Sequence, residues 1–245
     1  MKVSAIIVTR GDADLGQVVG SLPAEWEVLV WNNGEDPFKK GGLYKRVTDS
    51  GLLARRVLGD GVFSDLSVYG RYAAIEYATH DLIYVQDDDC IVSNPEALVR
   101  AWMGSRNSCA EEQFDPSFLW HASPDEIKAI GRGEHVVCNM PPEFRYDFYR
   151  DHALVGFGAC FHRDAPARAF RKAAEHLAGG GGLTGEHFYR TCDIVFTALT
   201  PRVLVDVPKT NLWWAEDASR MWRQPEHVEE RTRMLELVRK VRDVR

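Results

Sequence analysis

Leu82-Ile83-Tyr84-Val85-Gln86-Asp87-Asp88-Asp89-Cys90-Ile91-Val92 is the stretch whose reading decides the fold. Residues 82–85 form a short buried strand that runs straight into three consecutive carboxylates and then turns apolar again. Adjacent acids repel one another and resist burial. A divalent cation removes that cost, because Mg²⁺ or Mn²⁺ takes carboxylate oxygens and keeps positions for water or phosphate. Side chains alternate along extended chain, which puts Asp87 and Asp89 on one side and Asp88 on the other. Asp87-x-Asp89 therefore reads as a clamp for a metal and a diphosphate at a strand's carboxyl end, where open α/β sheets bind ligands. The competing reading is a solvated acidic turn, helped by Ser93-Asn94-Pro95 downstream. The apolar strand leading directly into the acids favours the clamp.

The 245 residues suit one large α/β domain or a domain with a small appendage. Hydrophobic content of 45% and charged content of 27% are those of an ordinary globular chain. A net charge of -6 excludes an indiscriminate nucleic-acid binder. No apolar run approaches the ~20 residues that span a bilayer, and the sequence opens on a strand pattern rather than a signal peptide. Five cysteines (Cys90, Cys109, Cys138, Cys160, Cys192), with no C-x-x-C pair, argue for free thiols in a reducing cytoplasm and against a zinc site.

Residues 2–9 (KVSAIIVT) are a β-branched apolar run and a central strand. The turn at 10–14 caps a helix over 15–21. After that strand there is neither G-x-G-x-x-G nor G-x-x-x-x-G-K-[ST], so both the dinucleotide fingerprint and the P-loop fail. A bound diphosphate must then be neutralised by something other than a glycine cradle, and the acid triplet with its metal fills that gap. Residues 27–31 (EVLVW) form a second strand closed by Asn32-Asn33-Gly34. Asn32 or Asn33 either hydrogen-bonds a nucleobase or ribose or simply tolerates the turn's backbone angles. Residues 53–58 read as a third strand. Asp65 caps a helix over 66–79, slimmed by alanines, in which Arg71 either reaches a phosphate or pairs with an acid.

Beyond the triplet, Pro95 opens a helix over 96–105. Residues 116–121 read as a strand, and Ser123-Pro124-Asp125-Glu126 caps a short helix. Residues 135–138 and 145–149 read as strands or loops around the break at 140–142. Residues 153–162 (ALVGFGACFH) read as a strand whose Gly156 and Gly158 leave backbone open to close approach. A helix over 165–177 follows, then four glycines at 179–182, either a lid hinge or a plain linker. Thr184 caps the next helix, which carries Asp193 beside an apolar stripe, a setting that raises a carboxylate's pKa. After a last strand at 203–207, Trp213 and Trp214 read either as a stacking surface for sugar or base or as core. The helix over 225–245 has an apolar side of Met234, Leu235, Val238 and Val241 that docks on the domain or on a partner.

The succession AIIVTR (5–10), VLVWNNG (28–34), GRYAAIEYATHDLIYVQDDD (70–89), GFGACFHRD (156–164) and GEHFYRTCDIVFTAL (185–199) resembles the GT-A glycosyltransferase fold, and most closely its family-2-like branch. The resemblance covers roughly residues 3–200, and the order of its parts carries the specificity. It implies a Rossmann-like, mixed, mostly parallel central sheet flanked by helices. A glycosyltransferase domain spans 1–215, with a nucleotide-binding half of about 1–95 and an acceptor-binding half of about 96–215, before a helical extension at 216–245. Thr9 and Arg10 would contact the nucleotide with Asn32 or Asn33 nearby. Arg71 would approach the diphosphate beside Asp87 and Asp88, and Asp87 and Asp89 would hold Mn²⁺ or Mg²⁺. Gly156 and Gly158 would lie beside the acceptor; Trp213 and Trp214, beyond the resemblance, are added as substrate-binding candidates from the stacking reading alone. Asp193 would be the base, with Glu186 as competitor. The acidic pair usual in the family before the base helix appears here only as those two separated residues.

The implied activity is metal-dependent transfer of a sugar, a hexosyl group, from a UDP-, GDP- or TDP-sugar to an acceptor hydroxyl. If the reaction inverts, a carboxylate takes the hydroxyl's proton; if it retains, Asp193 only orients the acceptor. The acceptor class (protein, glycan, lipid or modified nucleobase) and the oligomeric state stay open. The rivals are a sugar-phosphate nucleotidyltransferase, which lacks support because Thr9-Arg10-Gly11-Asp12 is not a G-x-G-x-R loop, a metal-dependent phosphoesterase, and a sugar-nucleotide-binding protein of the same fold without turnover.

Overall fold

The computed structural model describes residues 2–10, 13, 15–34, 56–58, 66–110, 122–140, 151–177, 185–212 and 224–243. Their centre is a seven-stranded sheet built from β1 (Ser4–Thr9), β2 (Glu27–Asn32), β3 (Arg56–Leu58), β4 (Leu82–Asp87), β6 (Val136–Asn139), β7 (Ala159–His162) and β8 (Arg202–Val205). The order is β3-β2-β1-β4-β7-β6-β8. Only β7 runs against its neighbours β4 and β6; the other pairs are parallel. The mixed, mostly parallel α/β sheet expected from the sequence is thus present. A two-stranded antiparallel ribbon of β5 (Cys90–Val92) and β9 (Lys209–Asn211) stands beyond the end of β4.

Apolar runs make these strands because both faces of the sheet are covered. Ala5, Ile7, Val28, Val30, Tyr84 and Val137 face one layer, with α1 (Leu15–Gly20) and α3 (Pro95–Ala110) supplying Leu15, Val18, Leu98, Val99 and Trp102. Ile6, Leu29, Ile83, Val85, Val136 and Phe161 face the other, against α2 (Gly70–Ala73), α5 (Ala165–Leu177) and α6 (Gly185–Leu199). The alternation of neighbours between layers is the period of two of extended chain. The C-terminal helix α7 (Pro225–Asp243) lies against α5 and α6, where Met234 and Val238 join Ala173, Ile194, Val195 and Ala198 in a third apolar cluster. Its apolar side therefore docks on its own chain. Asp151, paired with Arg239 and Arg242, ties the far end of that helix down.

Several expectations on element limits are corrected. The single helix over 66–79 is a 3₁₀ turn (Ser67–Tyr69), the one-turn α2 and a second 3₁₀ turn (Ala74–Tyr77). The Asn33 side chain accepts from the Leu66 amide at 3.0 Å and donates to the Ser67 carbonyl at 2.6 Å, pulling the entry to this segment onto the end of β2. The strand over 153–162 begins only at Ala159, because Val155–Phe157 curls into a 3₁₀ turn and Gly158 takes φ of 106°. Helix α3 runs on to Ala110. The helix α4 (Pro124–Gly131) opens with the expected capping box of Ser123 and Glu126. The strand expected at 116–121, the Asp65 cap, the aromatic segment at 145–149 and the glycine run at 179–182 lie outside the described residues.

Candidate functional site

Parallel pairing delivers the carboxyl ends of β1, β2 and β4 to one edge. In register, Thr9 stands beside Asn32, and Val8 beside Asp87. That edge is where ligands sit in open α/β sheets. Gly34 closes on the same place: a Cβ there would lie 1.7 Å from the Arg10 carbonyl oxygen. The register and the Gly34 turn thus place Thr9, Arg10, Asn32, Asn33 and Asp87 at one edge of the sheet. Thr9, Asn32 and Asn33 are buried, whereas Arg10 is exposed. Asn32 Oδ1 accepts from the Gly34 amide at 3.1 Å, and Asn33 Oδ1 also accepts from Trp31 Nε1. The two asparagines therefore brace the turn with their side chains, and neither takes the positive φ that was the alternative reading of them.

The acid triplet straddles the end of β4. Asp87 is the last strand residue, Asp88 and Asp89 form the turn, and Cys90 opens β5. Asp88 is buried, while Asp87 and Asp89 are partly exposed; the extended chain assumed for all three stops at Asp87, so the turn rather than strand alternation sets this difference. The hairpin is braced from inside. Tyr84 Oη donates to Gln86 Oε1, Gln86 Nε2 donates to the Cys90 carbonyl, and the Leu212 amide donates to the Asp89 carbonyl. Gly156 lies directly on Asp87: a Cβ at that position would be 2.0 Å from Asp87 Oδ2. The close approach anticipated at this glycine is made by a carboxylate. The turn carrying Gly156 is itself held by Asn139, which donates to the Phe157 carbonyl, and by Cys90 Sγ on the Gly156 carbonyl.

Arg71 joins the two acidic groups that the sequence kept separate. Its Nη2 is 2.7 Å from Asp87 Oδ1 and its Nη1 is 3.4 Å from Asp193 Oδ2. The guanidinium is 2% exposed, Asp193 17% and Asp87 37%. Nη1 is buried with no hydrogen-bond acceptor in place. Tyr72 Oη completes the group by donating to Asp193 Oδ1 at 2.6 Å. Burial pushes the Asp193 carboxyl up; Arg71 and Tyr72 pull the other way, Asp87 adds to the rise, and the net direction is upward. Burial lowers the Arg71 pKa, but Asp193 and Asp87 outweigh it and keep the guanidinium charged. The phenol of Tyr72 is raised well above its ordinary value by burial and then by Asp193, so it stays protonated as a donor.

The chemistry of the donor set fits a divalent ion. Mg²⁺ is ordinarily held by one or two carboxylates together with substrate phosphates rather than by a complete protein cage. Asp87 remains partly exposed although Arg71 occupies one oxygen, and Asp89 is partly exposed beside it. Among the described residues no group of three or more His, Cys, Asp or Glu side chains is placed to hold a metal without such a ligand. All five cysteines are free and buried, in line with the free thiols expected. No helix among the described residues is long and apolar enough to cross a membrane.

Glu186 falls in the first turn of α6, two turns before Asp193 on the same helix; its side chain, like Trp213 and Trp214, lies outside the described residues. Gly158, backed by Leu98, Tyr84 and Val92, sits under the sheet's edge rather than against the carboxylates. Tyr72 is the residue that sequence reading missed. Nothing in a tyrosine following an arginine points to a partner 121 positions away.

No protein-family model matches the sequence, and no curated protein matches it. Among solved structures, the chain is similar to S. aureus TarS 1–349, with 10% identity and a TM-score of 0.47 over 97% of this chain and 65% of that one. It is similar to glucosyl-3-phosphoglycerate synthase from Mycobacterium tuberculosis, solved with Mn²⁺, UDP-glucose and phosphoglyceric acid, with 13% identity and a TM-score of 0.45 over 97% and 79% of the two chains. The glycosyltransferase GlyE of Streptococcus pneumoniae TIGR4 follows at 8% identity and 0.42, over 84% and 45%. This chain therefore spans just under two thirds of the TarS structure's length.

Proposed function

We propose that this protein is a GT-A-fold glycosyltransferase that uses a nucleoside-diphosphate sugar, with a UDP-sugar as the donor to test first. The observation that carries the reading is the convergence of Asp87, from the end of β4, and Asp193, from α6, on one buried guanidinium. One carboxylate lies at the sheet edge where a nucleotide's phosphates belong; the other is largely shielded from solvent, and that burial raises its proton affinity in the direction a general base needs. The donor half is about 1–95, the acceptor half about 96–215, and 216–245 is a helical extension.

In this reading Thr9, Arg10, Asn32 and Asn33 frame the nucleotide, Arg71 orients Asp87 and Asp193 through its two ion pairs rather than reaching a phosphate, and Asp87 and Asp89 would hold Mn²⁺ or Mg²⁺. When bound, the ion supplies Lewis-acid stabilisation of the charge that grows on the departing diphosphate. Asp193 receives the proton of the acceptor hydroxyl while that oxygen bonds to the anomeric carbon. The bond from the anomeric carbon to the phosphate oxygen breaks, and its electron pair leaves with the nucleoside diphosphate. Gly156 keeps Asp87 in place by admitting its carboxylate.

Asp89→Ala tests the clamp. The variant stays folded and loses Mn²⁺-dependent binding of UDP, measured by calorimetry with and without EDTA; unchanged binding refutes the clamp. Asp193→Asn then slows transfer far more than it weakens donor binding. Equal losses would demote Asp193 from base to scaffold. Release of pyrophosphate from a nucleoside triphosphate and a sugar phosphate would instead favour the nucleotidyltransferase rival.

A further inference from the structure

Asp193 sits on α6, and among the described residues the side chains that engage its carboxylate come from another element. The fixing groups come from α2, where consecutive residues reach the two oxygens separately: Tyr72 Oη to Oδ1 at 2.6 Å and Arg71 Nη1 to Oδ2 at 3.4 Å. The contacts are unequal. Oδ1 is engaged by a short, charge-assisted hydrogen bond, whereas Oδ2 faces a buried N–H at ion-pair distance without a hydrogen bond. The tyrosine ring is in turn held by its neighbours. Phe170 and Phe196 meet it edge-on at 5.2 and 5.7 Å, and Tyr69 and Phe161 flank it at 6.0 and 6.5 Å. A phenol in such a cage has little freedom to follow a moving carboxylate.

We infer that Tyr72 is a positioning residue for the transfer reaction: it locks Oδ1 of Asp193 and leaves Oδ2 as the oxygen that takes the acceptor's proton. The inference rests on the glycosyl-transfer reading above. It adds a residue that the resemblance does not supply and names which oxygen does the work. The groups that face Asp193 are Arg71 and Tyr72 from α2, Asp87 from β4, Cys138 from β6, Arg231 from α7 and Cys192 on its own helix. Among them Tyr72 is the neutral group hydrogen-bonded to the carboxylate, so removing its hydroxyl takes support from the ionised form and leaves the surrounding charges as they were. The Asp193 pKa then rises further, and the acidic limb of the rate profile moves to higher pH.

The test uses the full chain with Mn²⁺ and a panel of UDP-glucose, UDP-N-acetylglucosamine, GDP-mannose and TDP-glucose, following release of the nucleoside diphosphate with water as acceptor. Tyr72→Phe keeps the caged ring and deletes only the oxygen. The expected result is a fall in turnover on the order of 10- to 100-fold, a UDP·Mn²⁺ affinity within about twofold of wild type, and an acidic limb displaced upward. In the background of Asp193→Asn the tyrosine substitution then has no further effect. A parallel loss of UDP affinity, or an unmoved limb, overturns the inference while leaving the glycosyl-transfer reading intact. A wild-type protein that binds no UDP·Mn²⁺ and turns over none of the four donors overturns that reading, and the inference with it.

Discussion

At the scale of single residues, Arg71 and Gly156 show how a carboxylate is set in place from two sides. The guanidinium takes Asp87 Oδ1, and Oδ2 occupies the space that a side chain on residue 156 would fill. An alanine at 156 must displace a short side chain that an ion pair already holds, because its Cβ would stand 2.0 Å from that oxygen. Gly156→Ala is therefore expected to cost roughly 1–3 kcal/mol of stability and to abolish Mn²⁺-dependent UDP binding. Denaturant unfolding and calorimetry check the two effects, and retained binding would separate Asp87 from the metal. The sequence signalled Gly156 as a point of close approach and assigned it to the acceptor, whereas the space a side chain there would fill is taken by Asp87. The occupant comes from β4, and only the pairing of β4 with β7 brings it there.

At the scale of elements, the strands were legible because a run of Val, Ile and Leu covered on both faces leaves little else to form. Segment 66–79 was not. Its alanines favour a continuous helix, but Asn33 binds Leu66 and Ser67 while Gly70 lies against the Trp31 ring, so contacts with β2 override propensity. The C-terminal helix shows the reverse case. Its spacing of Met234, Val238 and Val241 named the buried side, and what remained open was the surface that covers it. That surface is α5 and α6, and Met234 is 3% exposed against them. Met234→Ala is expected to lower stability by about 2–5 kcal/mol, read from urea unfolding; a loss well under that range would show a helix that contributes little to the fold.

For the whole molecule, acidity is the variable that acts on several places at once. Burial holds His135, His152 and His227 down at about 4. An Arg231 guanidinium stands 3.1 Å from His152 Nε2, a contact that needs that nitrogen unprotonated. In the unfolded chain these imidazoles return to about 6.5. The unfolded state therefore binds more protons between about 6.5 and about 4, so stability falls as pH drops through that window and is regained above it. Unfolding midpoints measured from pH 7.5 to 4.5 are expected to decline on that schedule, and replacing His152 with Gln is expected to flatten the slope. A flat profile in the wild type would show that these histidines take protons without resistance. Periodicity and turn chemistry were enough to mark the main strands and helices and the apolar strand that ends in acids, because those signals lie a few residues apart; the mixed, mostly parallel sheet was implied only by the resemblance in the order of the motifs. The meeting of Asp87, Arg71, Tyr72 and Asp193 was decided by tertiary structure alone. Hydrogen bonds and ion pairs between distant side chains leave no period in a sequence; they exist only once strand order and helix packing have set the distances.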